Sequence, residues 1–280
     1  MEIALLQTDI VWGDADANIR RVAALMDRHP GARLYVLPEM WATGFNTQPD
    51  AHTLEEGRHA LTWMEAEARR RGVYIAGSLP IAGSLPIAAE TDAAETAAPQ
   101  TAADAPQTVN RLVVAGPEGL CATYDKVHLF TYGGEPAHYR PGHSRTVVTI
   151  DGVRFMWQIC YDLRFPVFAR NRGDYDVLVY VANWPASRRR AWDTLVRARA
   201  IENQCYVCAV NRTGNDPLCA YDGGTVVVDA YGREVAAVAR PGDGAPEPEA
   251  VVSARIDMER LTAFRSKFAV LADADAFTLG

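Results

Sequence analysis

Apolar runs of strand length, IALLQ, RLYVLPE, VYIAGSL, RLVVAG, RFMWQIC and DVLVYVAN, alternate along the chain with stretches of helical period such as ANIRRVAALM and the segment from Arg188 to Asn203. Side chains alternate faces along a strand and return to one face every three to four residues along a helix. Strands interleaved with helices in this way predict an α/β layered fold. Three later runs, GTVVVDA, REVAAVA and AVVSARI, are separated by Gly-rich turns with no long helix between them. They predict antiparallel hairpins that complete the sheets, so the sheets are expected to be mixed.

One segment breaks the alternation. GSLPIA occupies Gly77 to Ala82, repeats at once as Gly83 to Ala88, and runs on into an Ala/Thr/Asp/Pro-rich tract that ends near Gln107. Such a tract buries little, which predicts a mobile surface insertion without function at about residues 83–107 between two strands. One extra copy cannot build a stacked array, so the repeat reads as a duplication and not as a solenoid. No comparable linker occurs elsewhere, and residues 1–280 are read as a single domain.

Composition narrows the class. The chain has 280 residues, 49% hydrophobic and 22% charged, enough to bury a large core. Its net charge of −7 comes from intermingled acids and bases, which predicts no affinity for nucleic acid or anionic membranes. MEIALLQTDI places Glu2 inside the first apolar run and lacks a basic leader, and no stretch reaches the ~18 apolar residues of a membrane span. A cytoplasmic protein is expected. Cys121, Cys160, Cys205, Cys208 and Cys219 form an odd set that predicts reduced thiols. Cys205 and Cys208 lack the second pair that a metal site needs, so they read as packing residues. Arg188, Arg189 and Arg190 open a helix and read as a solvated face or a subunit contact. His128 reads as packing or as hydrogen-bonded to its loop.

Three reactive side chains stand just past the carboxyl end of an apolar strand: Glu39 after RLYVLP, Lys126 after CATYD, and Cys160 after RFMWQI. That edge of an open α/β sheet is where ligands bind. A thiol is a weak nucleophile until it loses its proton; a carboxylate can take that proton, and a nearby ammonium favours the thiolate. The lysine can also stabilise a developing oxyanion, aided by the backbone N–H of Tyr161. This chemistry requires no metal and no cofactor. Each residue alone also fits a plainer role, as a solvated acid, a surface lysine or a small buried hydrophobe.

The blocks LPEMWATGFN, YDKVHLF, WQICYDLRFP, VANWPASRRRAWDTLVRARAIENQ and VNRTGND, in that order, resemble the signature segments of the carbon-nitrogen hydrolase (nitrilase) superfamily. The resemblance implies a four-layer αββα sandwich, a Glu39–Lys126–Cys160 triad, and a second glutamate near the site, matched by Glu135 in GGEPAHYRPG, that positions Lys126 or the substrate. CYDLRFP with PEMWATGF is most similar to the omega-amidase branch, whose members hydrolyse the terminal amide of small dicarboxylic monoamides such as 2-oxoglutaramate and succinamate. Such substrates carry a free carboxylate, for which Arg164 is the candidate partner; a structural pair with Asp162 or a helix-end role is its alternative. A homodimer joined helix to helix is the assembly implied. The competing readings are a carbamoylase or nitrilase on the same triad, a silent binding or scaffold subunit, and a redox protein built on Cys205 and Cys208.

Overall fold

The computed structural model describes residues 1–83, 108–238 and 249–278. Apart from Gly83, the predicted insertion lies outside the described residues. The chain begins with β1 (Glu2–Gln7), β2 (Leu34–Val36), β3 (Tyr74–Ala82), β4 (Thr108–Gly116) and β5 (Gly119–Asp125). A second group follows: β6 (Val147–Ile150), β7 (Val153–Ile159), β8 (Val177–Ala182) and β9 (Tyr206–Asn211), a short hairpin of β10 (Thr213–Asn215) and β11 (Ala220–Asp222), then β12 (Val226–Val228) and β13 (Glu234–Ala237). Finally β14 (Ala250–Arg255) returns to the first group beside β1.

The first sheet has the order β14-β1-β2-β3-β4-β5 and the second β13-β12-β9-β8-β7-β6. Each is parallel at its centre, β1-β2-β3 in one and β7-β8-β9 in the other, and antiparallel towards its edges. The expected mixed sheets are therefore present. The parallel pairs are joined by helical crossovers, α1 (Ala15–Arg28), α2 (Ala51–Arg71), α3 (Pro166–Ala169) and α4 (Arg189–Glu202), because a two-residue turn cannot join parallel strands. A last helix, α5 (Met258–Lys267), follows β14.

Both faces of the first sheet are buried. Along β1, Ile3 and Leu5 join the core shared with the second sheet, whereas Ala4 and Leu6 join the core beneath α1 and α2. In β4, Leu112 and Val114 face the second sheet, and Val113 and Ala115 face the helices. Strands covered on both sides read as continuous apolar runs, as these do. On the far side, Trp192, Val196 and Ala200 of α4 pack onto the second sheet's core. The result is a four-layer helix–sheet–sheet–helix sandwich. Among the described residues no helix is long and apolar enough to cross a membrane.

Strand direction gathers the site. Since β5 is antiparallel to β4, and β4 to β3, β5 runs with β2 and β3, and the segments after β2 and β5 leave the sheet at one edge. The second sheet presents the ends of β7, β8 and β9 to that edge, where the backbone N–H of Asn183 reaches the Glu39 carboxylate.

Candidate active site

Glu39 lies three residues beyond β2, where the ladder persists through the Leu37 N–H to the Ala76 carbonyl at 2.7 Å. The chain then turns at Met40, whose φ is 42° and whose N–H donates to Ser78 Oγ at 2.9 Å. Glu39 is fully buried. Its Oε1 accepts from Lys126 Nζ at 2.8 Å and from Asn110 Nδ2 at 2.9 Å. Its Oε2 accepts from the Asn183 N–H at 3.0 Å, and its backbone carbonyl accepts from Asn183 Nδ2 at 2.8 Å.

Lys126 follows β5 directly and its N–H donates to the Asn110 carbonyl at 3.0 Å. Its ammonium also contacts both oxygens of Glu135, at 3.0 and 3.2 Å. Glu135 opens a short 3-10 turn and accepts from Asn110 Nδ2 at 3.2 Å and from the Phe130 N–H at 2.6 Å. Buried charges persist only when paired and hydrogen-bonded, and these are. Burial works against the Lys126 ammonium, but the Glu135 and Glu39 carboxylates outweigh it and hold its pKa above the ordinary lysine range. For Glu135, burial pushes the carboxyl up; Lys126 opposes the shift and Glu39 adds to it. Lys126 is thus a fixed cation between two acids.

Cys160 directly follows β7, with φ of 43°, and opens a 3-10 turn, Cys160–Arg164. A non-glycine residue in that region costs about 1–3 kcal/mol and persists only when its surroundings dictate it. Here Asp162 dictates it. The buried Asp162 carboxylate accepts from the Ile159 N–H at 2.9 Å, Tyr124 O–H at 2.8 Å and His128 N–H at 3.0 Å, and its Oδ1 lies 2.7 Å from His128 Nδ1. The His128 ring in turn stacks on Phe165 at 3.9 Å. His128 therefore braces the turn, in keeping with its reading as a hydrogen-bonded loop residue.

The Cys160 thiol lies beside the Glu39 carboxylate and the Asn183 N–H. Burial, then the negative Glu39, pushes its pKa well above the ordinary thiol range, and Lys126 and the Asn183 N–H only partly offset this. The sulfur is held as a thiol, because the carboxylate that can take its proton also repels the charge left behind. Proton removal must accompany attack.

Around this centre lies an aromatic rim. The Tyr161 ring meets Phe130 and Phe165 edge to face, each at 5.2 Å, and the Phe45 ring lies 5.2 Å from Lys126 Nζ. Arg164 lies over the Trp184 ring at 4.7 Å and does not pair with Asp162, which is already engaged. Of Arg188 to Arg190, read as a solvated face or a subunit contact, only Arg190 is exposed: Arg189 pairs with Asp193 and Asp222, and Arg188 turns onto Phe130. Cys205 and Cys208 are buried free thiols whose pKa values burial raises. Asn110 and Asn183, which hold the glutamates, were not among the sequence candidates. Their signal was an amide within or just after a buried apolar strand, where such residues are depleted.

The family model described as carbon-nitrogen hydrolase matches residues 2–266. The chain belongs to the carbon-nitrogen hydrolase family. This hydrolase is 39% identical to Omega-amidase YafV of Yersinia enterocolitica over 100% of its own length and 98% of that protein's. It is 32% identical to 2-oxoglutaramate amidase of Bacillus subtilis (strain 168), covering 97% of this chain and 96% of that protein. The crystal structure of XC1258 from Xanthomonas campestris, a CN-hydrolase superfamily protein with an arsenic adduct in its active site, superposes with a TM-score of 0.83 at 34% identity, covering 100% of this chain and 99% of the other. The hydrolase shares that fold across its length.

Proposed function

We propose that this hydrolase cleaves the terminal amide of small omega-monoamides of dicarboxylic acids, of the 2-oxoglutaramate or succinamate type, to the acid and ammonia. The observation that carries the reading is the buried Glu39–Lys126–Glu135 cluster facing the Cys160 thiol, in a chain whose relatives include an omega-amidase and a 2-oxoglutaramate amidase. Glu39 takes the thiol proton as sulfur bonds to the amide carbon, and Lys126 with the Tyr161 N–H stabilises the oxyanion. The carbon–nitrogen bond breaks as Glu39 returns the proton to the departing ammonia. Glu39 then deprotonates a water that attacks the thioester; the carbon–sulfur bond breaks, and the sulfur recovers its proton from Glu39. Glu135 holds Lys126 in place, and Arg164, which has no carboxylate partner among the described residues, meets the substrate's far carboxylate. No step draws on a metal or cofactor.

The same proposal takes residues 1–280 as a single domain, cytoplasmic, that assembles as a homodimer. A panel of short omega-monoamides, nitriles and N-carbamoyl amino acids tests the activity. Ammonia release from the monoamides alone is expected, lost in Cys160→Ala, with a thioester trapped in wild type. Release of carbon dioxide with the ammonia would show a carbamoylase, and nitrile turnover a nitrilase.

A further inference from the structure

Arg188, Arg189 and Arg190 stand together at the start of α4 but have different surroundings. Arg189 is tied to Asp193 at 2.8 Å and to Asp222 at 3.3 Å, and Arg190 is exposed. Arg188 is half-buried, its guanidinium carbon 5.3 Å from the Phe130 ring centre, and among the described residues no carboxylate pairs with it. The Phe130 ring also meets Tyr161, the neighbour of Cys160, at 5.2 Å, and Phe45, the ring beside Lys126, at 6.4 Å. Arg188 is therefore one aromatic ring away from the chemistry.

Trp184 links Arg188 to Arg164. Its ring carries the Arg164 guanidinium at 4.7 Å, and its Nε1–H donates to the Arg188 carbonyl at 2.9 Å. It directly follows Asn183, which clips Glu39. The charge of Lys126 is already answered by Glu39 and Glu135, whereas among the described residues neither of these two guanidiniums pairs with a carboxylate. A guanidinium resting on a ring keeps its charge and presents its donors in a fixed plane that suits a carboxylate.

We propose that Arg188 is the second arm of a two-arginine clamp that, with Arg164, binds the substrate's far carboxylate and sets the preference for charged omega-monoamides over neutral amides. The inference rests on the omega-monoamide reading above. It is tested by kcat/KM for succinamate and for its uncharged methyl ester, read as ammonia release, in wild type, Arg188→Met, Arg188→Lys and Arg164→Met. Losing one charge-assisted contact should lower the succinamate-to-ester ratio about 10- to 100-fold in Arg188→Met, mainly through KM. The inhibition constant for succinate should rise in parallel. Arg188→Lys should keep part of the preference, because charge survives while the planar fork is lost. An unchanged ratio in Arg188→Met, or equal losses on both substrates, would overturn the clamp alone. A wild type that does not prefer succinamate to its ester would overturn the clamp and the omega-monoamide reading together.

Discussion

At Cys160 the thiol faces a carboxylate that raises its pKa and an ammonium that lowers it, so substitutions can separate the two neighbours. Glu39→Gln removes the negative charge and should make the thiolate easier to form, whereas Lys126→Ala removes the positive charge and should make it harder. The pH dependence of iodoacetamide labelling at Cys160 should therefore move down in the first variant and up in the second. Turnover should nonetheless fall in both, by at least ~10²-fold in Glu39→Gln because proton transfer is lost in both chemical steps. Identical labelling profiles, or near-wild-type activity in either variant, would defeat these roles. Much of the cluster was legible beforehand: Glu39, Lys126 and Cys160 stand past strand ends, and Glu135 is matched through the resemblance to the family. Its support was not. Nothing in a linear pattern marks Asn110 as reaching two carboxylates at once, or Asp162 as taking the N–H of Ile159 three residues back.

The same contrast holds for whole elements. Long apolar runs bordering helical periods gave away the mixed sheets, but the 21-residue α2 carried little signal because several of its buried positions, Gly57, Ala60 and Ala68, are small. Gly57 sits so close to β3 that an added Cβ would lie 2.3 Å from the Pro80 carbonyl oxygen. The first GSLPIA copy, Gly77–Ala82, is the last six residues of β3, paired with β4 from Gly77↔Val113 to Ala82↔Thr108, with Ser78 holding Met40 beside Glu39. The duplicated copy and the tract after it lie outside the described residues. Because Ala82 and Thr108 already face each other across the ladder, replacing residues 83–107 with an Asn-Gly turn should close the hairpin without shifting its register. Loop closure depends only weakly on length, so turnover should stay within about threefold of wild type. A loss of folding or activity on excision would show that the segment supports the site.

At the scale of the whole molecule, the outer layer over the second sheet carries an apolar face that no single stretch of sequence announces. Ile201 at the end of α4, Tyr231 in the turn after β12, and Phe268 just past α5 are 53%, 45% and 59% exposed. They are contiguous: Gly232 abuts Ile201, Tyr231 packs on Phe264 at 4.0 Å, and Phe264 reaches Phe268 at 6.3 Å. Side chains brought together from separate segments escape a periodicity argument, which sees only one element at a time. Connected exposed apolar surface on this scale marks an interaction site more often than scattered single residues do. A twofold assembly would bury the face against its own copy, because a closed dimer uses the same patch on both subunits. For the proposed homodimer, light scattering at micromolar concentration should give twice the 30.6 kDa chain mass. Introducing Ile201→Asp together with Phe268→Asp should leave a folded monomer, since each interface would then hold four unpaired carboxylates away from water. A wild type that scatters as a monomer would remove the dimer, and a double variant that remains dimeric would move the interface to another face.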